Sequence, residues 1–264
     1  MAAILKKHRT ASPLIPAFFV LIVALTLVVL LRRMPPTIWH DEIVDHTEVV
    51  HHPRPDLNSD DTILGVLGCP ITKEDWDYPG IDEEWNFRYC GLETPEPLTS
   101  LGCFLASTPY PLLGGLEPSY PMVECDLRED YVYQQGCFLG VGIGYVILRN
   151  GEYELIDSQA KLRSVFAPID SEQEALSYAL AATRFFPLYG IQISSKYEYY
   201  VTHLEDTYVT KKGNDYLVHL YDYLMCGCKQ HETLVIDLIV TRSGRIRQVS
   251  KELVFRDANE KCID

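Results

Sequence analysis

The longest apolar run in the chain is Pro13–Leu31, PLIPAFFVLIVALTLVVLL, 19 positions without a charge and with Thr26 as its one polar side chain. At ~1.5 Å per helical residue it extends roughly 28 Å, close to the ~30 Å hydrocarbon core of a bilayer. Pro13 and Pro16 fall in or just before the first turn, where a missing N–H costs little. A cleaved signal peptide would have a shorter apolar core followed by small residues. Here the run ends in Leu-Leu-Arg-Arg-Met-Pro-Pro. The pattern therefore predicts a transmembrane signal-anchor helix over 13–33, with the lipid bilayer as partner through residues 13–31.

The next residues, 34–60, lose the apolar rhythm. Pro35, Pro36, Pro53 and Pro55 stand among charges and histidines, so this part reads as a stalk, with one or two helical turns possible over Asp41–Val50. Residues 61–135 carry eight prolines and read as an irregular lobe with short strands only, such as Thr62–Leu67.

From Gly136 the periodicity becomes regular. Tyr145–Leu148 and Tyr153–Ile156 flank Asn150-Gly151, which supplies the two positive φ angles of a type I′ turn and predicts a hairpin. Asp157 is placed to cap a short helix through Phe166, with Leu162, Val165 and Phe166 on its inner side. Ser171 and Glu174 form an S-x-x-E capping box before a second helix with Leu176, Ala179, Leu180 and Thr183 inward, ended by Pro187 and Gly190. Its alanines suit close approach to a sheet.

A β meander is expected after that: 196–202, 207–210, 216–225, 233–241 and 245–255. In the fourth of these, Leu234, Ile236, Leu238 and Val240 share one face, while Thr233, Asp237 and Thr241 share the other. In the last, the apolar set changes parity between Ile246 and Val249, which predicts a β-bulge near Gln248. The expected fold class is α+β: after the anchor, two helices packed on an antiparallel sheet, with the Pro- and Cys-rich lobe beside it. The domain is taken as 61–264, divided into 61–135 and 136–264.

Charge changes the picture by fixing sides. Residues 1–12 hold Lys6, Lys7 and Arg9, and Arg32 and Arg33 follow the apolar run, so the positive-inside bias slightly favours a cytoplasmic N-terminus. All 37 acidic residues lie beyond Arg33 with 18 of the 23 basic ones, which leaves 18 − 37 = −19 on the remainder. Such a surface disfavours nucleic acid and close adhesion to anionic lipid. All eight cysteines, Cys69, Cys90, Cys103, Cys125, Cys137, Cys226, Cys228 and Cys262, also lie beyond the run. Their even number in a loop-rich domain makes them disulfide candidates and places the domain on the extracytoplasmic side of a cell membrane.

Candidate chemistry is sparse. His40, His46, His51 and His52 lie among Asp41, Glu42, Asp45 and Glu48, but the spacing matches no established metal site. Asp56–Asp60 begins like a calcium loop and fails at Asp61 and Leu67, where Gly and an acid are needed. Gly140-Val-Gly142-Ile-Gly144 superficially matches a dinucleotide loop but runs into a strand instead of a helix, so close backbone packing is the expected role. Cys226-Gly-Cys228, with His231 after it and His219 before it, can be read as structural sulfurs, a metal site or a redox pair; Cys262 is a natural disulfide partner. No catalytic, cofactor or metal residue is assigned. The expected function is that of a single-pass membrane protein whose extracytoplasmic domain binds a partner or serves structurally in an envelope or on a surface. The alternative is a tethered hydrolase, thiol redox protein or metal binder using Cys226, Cys228 and His231.

Overall fold

The computed structural model describes residues 43–55, 72–74, 87–89, 103–105, 116, 122–125, 131–136, 140–224 and 231–257. They all belong to one compact unit, Ile38–Asp264. The anchor expected over 13–33, the strand Thr62–Leu67 and the Cys226-Gly-Cys228 segment lie outside the described residues. Among those described, no helix is long and apolar enough to cross a membrane.

The unit is mixed α+β, with two helices packed against antiparallel sheets. Where one regular sheet was expected, there are two of five strands each. The first has the order β4-β5-β7-β6 with β8 on β7: β4 Cys103–Leu105, β5 Met122–Cys125, β6 Tyr133–Gln135, β7 Val141–Arg149 and β8 Glu152–Ile156. Strands β4 to β6 come from the segment read as irregular, which is too short-stranded to betray a sheet by period. A further short pair, β2 Thr72–Glu74 and β3 Phe87–Tyr89, is antiparallel. The hairpin β7–β8 turns at Asn150 (φ 54°) and Gly151 (φ 83°), as the Asn-Gly pair predicted. The earlier glycines serve close approach: a Cβ on Gly142 would lie 3.1 Å from Tyr131 Cβ, and one on Gly140 would collide with the Gln134 side chain.

Helix α1, Gln159–Phe166, starts one residue later than expected. Ser158 is its cap and accepts from the Lys161 amide, while Asp157 pairs with Lys161 Nζ at 2.8 Å. Helix α2, Glu172–Ala182, is capped by Ser171, which accepts from the Glu174 amide at 3.1 Å. The Glu174 carboxylate reaches back one residue further than a capping box requires, accepting from the Asp170 amide at 2.6 Å. The helix stops at Ala182, short of Pro187, because Thr183 is extended. Every residue from Ala175 to Ala182 is buried. Tyr145 of β7 donates to the Ala181 carbonyl on one side, and the second sheet packs along the helix on the other. The alanines allow this double approach.

The second sheet has the order β11-β12-β13-β14-β9: β9 Tyr197–Tyr199, β11 Tyr208–Lys212, β12 Asp215–Leu224, β13 His231–Thr241 and β14 Ile246–Asp257. The meander holds for β11 to β14, but β9 crosses to the far edge and pairs with the end of β14. Two residues of β14 are skipped in the pairing with β13. One is Val249, beside the position expected for a bulge; the second is Val254. Even-numbered Leu234, Ile236, Leu238 and Val240 of β13, with Tyr216, Val218 and Leu220 of β12, face the helices. The opposite face is also covered. Tyr221, Val235, Val254 and Phe255 form a second apolar cluster with Leu188, Ile191, Tyr199 and Leu204.

Part of that cover comes from residues 43–55, read above as stalk. They run extended along the domain, without the helical turns considered possible. Strand β1, Glu48–Val50, pairs in parallel with β10, His203–Glu205, and Val44 and Val49 pack on the second cluster. The Thr47 hydroxyl donates to the Val201 carbonyl at 2.8 Å and the Val44 amide to Tyr199 O at 2.9 Å.

Cys103 is buried and disulfide-bonded. It stands opposite Cys125 in the β4–β5 register. The side chains of Cys69, Cys90, Cys125, Cys137, Cys226, Cys228 and Cys262 lie outside the described residues.

Candidate functional site

The register of the second sheet sets four side chains in one row. Tyr208 on β11 is opposite His219 on β12, His219 is opposite Asp237 on β13, and Asp237 is opposite Ser250 on β14. All four occupy the face away from the helices, because directly paired residues in a sheet project to the same side. The row lies at the margin of the second apolar cluster, next to Tyr221 and Val235.

Its hydrogen bonds converge on Asp237. His219 Nδ1 is 2.7 Å from Asp237 Oδ1, and the Ser250 hydroxyl donates to Asp237 Oδ2 at 2.6 Å. A carboxylate only accepts, so Nδ1 carries the proton. Burial pushes the Asp237 carboxyl up, but the hydrogen bonds from His219 and Ser250 and the charge of His219 outweigh it and hold Asp237 below the usual carboxylate range. The other ring nitrogen of His219, Nε2, is buried with no hydrogen-bond partner among the described residues, in a residue only 9 % exposed. The Tyr208 ring stacks on the imidazole at 4.8 Å and 13°, and Tyr221 meets it edge-on at 5.6 Å.

No family model, curated protein or solved structure matches this chain. What the row can do must therefore come from its own geometry. With Nδ1 fixed by Asp237, the neutral ring presents a lone pair at Nε2, and the charged ring presents an N–H there. This is the orientation that a general base or acid needs. Ser250 bonds the carboxylate and not the imidazole, so the three do not form a nucleophile triad. Leaving a buried polar nitrogen unpaired costs on the order of 1–3 kcal/mol, which is reason to look for its use.

A second cluster lies against the first. Asp206, almost wholly buried, accepts from the Ile191 amide, from the His52 amide, and from His51 Nδ1 at 3.0 Å. His52 Nε2 is 3.0 Å from Glu205 Oε2, and its ring lies 4.7 Å from Tyr208. The Tyr221 hydroxyl donates to the Glu205 carbonyl. Burial, then Asp237 and Glu205, raise the Tyr208 phenol; burial, then Asp206 and Glu205, raise that of Tyr221 well above the ordinary range. Both phenols therefore stay protonated donors.

The residues singled out in the sequence are distributed differently. His51 and His52 contact the carboxylates of Asp206 and Glu205, at and just past the end of β10, while His46 lies 3.7 Å from Glu48. Among the described residues no three His, Cys, Asp or Glu side chains are gathered as a metal site. His231 opens β13 near the Tyr223 hydroxyl, six positions from Asp237 and so roughly 20 Å along the strand from His219. The two histidines that flank Cys226-Gly-Cys228 in sequence are not brought together. Asp237 was visible as a polar residue on the outer face of its strand, and His219 has the same parity on β12. That shared parity was the available signal for the row.

Proposed function

We propose that the chain is a single-pass, bilayer-tethered protein whose extracytoplasmic α+β domain binds a partner or serves structurally in an envelope or at a surface. The run Pro13–Leu31 carries this reading, since an uncharged segment of that length suits a bilayer better than a folded core. The disulfide at Cys103 supports it, because such bonds persist in oxidising compartments. The test is expression of the full chain in intact cells. Resistance to alkaline carbonate extraction, with the acidic domain cleaved by protease added outside, is the expected result. Release into the carbonate supernatant, or complete protection from the protease, removes the reading.

A second reading, a tethered enzyme working by acid–base chemistry, is favoured by one observation. His219 is held by Asp237 in a fixed tautomer, and its far nitrogen has no partner among the described residues. Hydrolysis of an activated ester by the full chain, abolished by His219→Gln, would favour it; an equal rate in the variant would remove it.

A further inference from the structure

Residues 43–55 reach the His219 row through one contact chain. His52 lies on Tyr208, Tyr208 lies on His219, and His52 is bound in turn to Glu205, whose carbonyl holds the Tyr221 hydroxyl. Tyr208 and Tyr221 are the two rings that enclose the imidazole. We propose that residues 43–55 form a strap that gates His219, so that undocking the strap frees Tyr208 to swing and opens Nε2 to solutes. Gating presupposes the acid–base reading of the row, but access to Nε2 is measured without any turnover, so the two can fail separately.

The strap is built to come off as a unit. It is held at its edge by three parallel pairs between β1 and β10, by the Val44 amide on Tyr199 O, by the Thr47 hydroxyl, and at its end by the His52 amide and the two imidazole–carboxylate contacts. To the second apolar cluster it contributes Val44 and Val49, both half-buried. Neither side chain belongs to the cluster around α2, so undocking leaves that core intact. An element with few buried apolar contacts and an exposed edge is drawn from the low-stability end of a structure and opens locally before the whole unfolds. The strap is also the part of the domain closest in sequence to the apolar run, with residues 32–42 between them.

The test uses the full chain in detergent micelles and diethyl pyrocarbonate, which acylates an accessible neutral imidazole nitrogen. Site-resolved mass spectrometry reads each histidine, and hydrogen exchange reads the strap. His203, 67 % exposed at its side chain, is the internal reference, and buried His231 is the control for the fold. In the native chain His219 reacts at least about tenfold more slowly than His203, as expected for a nitrogen reached only by local opening. In His51→Ala/His52→Ala, exchange over 43–55 rises and His219 acylation accelerates roughly tenfold, as loss of two such contacts implies, with His231 still protected. Thr47→Val, which loses one hydrogen bond, gives a smaller change in the same direction and keeps the test open should the double variant not fold. The proposal is overturned if native His219 reacts as fast as His203. It is equally overturned if the strap loosens in Thr47→Val while His219 stays unreactive, the result expected were Nε2 satisfied by a permanently enclosed water.

Discussion

Replacing Asp237 by Asn keeps the shape of the row but removes the charge that holds two donors at once. In the native sheet the carboxylate accepts from His219 Nδ1 at 2.7 Å and from Ser250 Oγ at 2.6 Å. An amide has one acceptor oxygen, so one donor must face its NH₂ group. A hydrogen bond to a charged group contributes about 1.5–3 kcal/mol. The Asp237 side chain is 27 % exposed, which lets solvent recover part of that. The net cost is therefore about 2 kcal/mol, or roughly 4–8 °C in the thermal midpoint for a domain of this size. The pH dependence has a definite sign. Because folding holds Asp237 below its ordinary value of 3.8, the native advantage is fully present above that pH and is lost as pH falls through the lower folded value. Calorimetry of D237N and the native chain should show a gap at neutral pH that narrows below pH 4. A gap under about 1 °C at neutral pH would refute the reasoning, and so would one that fails to narrow in acid.

Three further substitutions probe the rest of the architecture. Ala179→Leu adds three carbons to a fully buried position on α2 between the two sheets and should cost about 1–3 kcal/mol in a urea titration, in spite of the good helix propensity of Leu. Ser171→Ala removes the side chain that accepts from the Glu174 amide and should cost about 1 kcal/mol by the same measurement. Asp222→Ala leaves Arg184 and Lys251 facing each other across a vacated carboxylate that is only 2 % exposed. Both cations reach solvent, so the loss should be about 2 kcal/mol instead of the 3–5 kcal/mol typical of a fully buried pair, and it should grow at low ionic strength.

Features governed by neighbours in sequence could be read in advance. Asn150-Gly151 fixes its hairpin because both residues tolerate positive φ, and Ser171 with Glu174 marks a helix start. The strict alternation in β13 identified its core face, and the parity change in β14 predicted a bulge near Gln248, which falls at the neighbouring Val249. The second bulge escaped because Leu253, Val254 and Phe255 are all apolar, so no change of parity is visible there. Helix α2 ends early for a tertiary reason: past Ala182 the chain turns extended and Phe186 bridges to Tyr221. The strap was harder still. Glu48 pairs with His203, 155 positions away, and its run of His, Asp and Glu has the composition of a solvated linker. Only Ile43-Val44 and Val49-Val50 broke that composition, and nothing in sequence marked Val44 and Val49 as the two that pack inward.

The odd-numbered positions of β13 explain why strap and row occur together. An antiparallel sheet with one solvated face would carry polar residues at 233, 235, 237 and 239. Here Thr233 and Val235 are buried, while Asp237 and Ile239 are half-buried. The outer face thus changes along its length from interior to surface. The interior half needs a cover, which the segment before β11 and the strap provide. The boundary of that cover crosses the sheet at Tyr208, His219, Asp237 and Ser250. His219 lies on this boundary, paired with half-buried Asp237. There it is buried with Nε2 unpartnered among the described residues, at the margin of the cover that the strap helps to form.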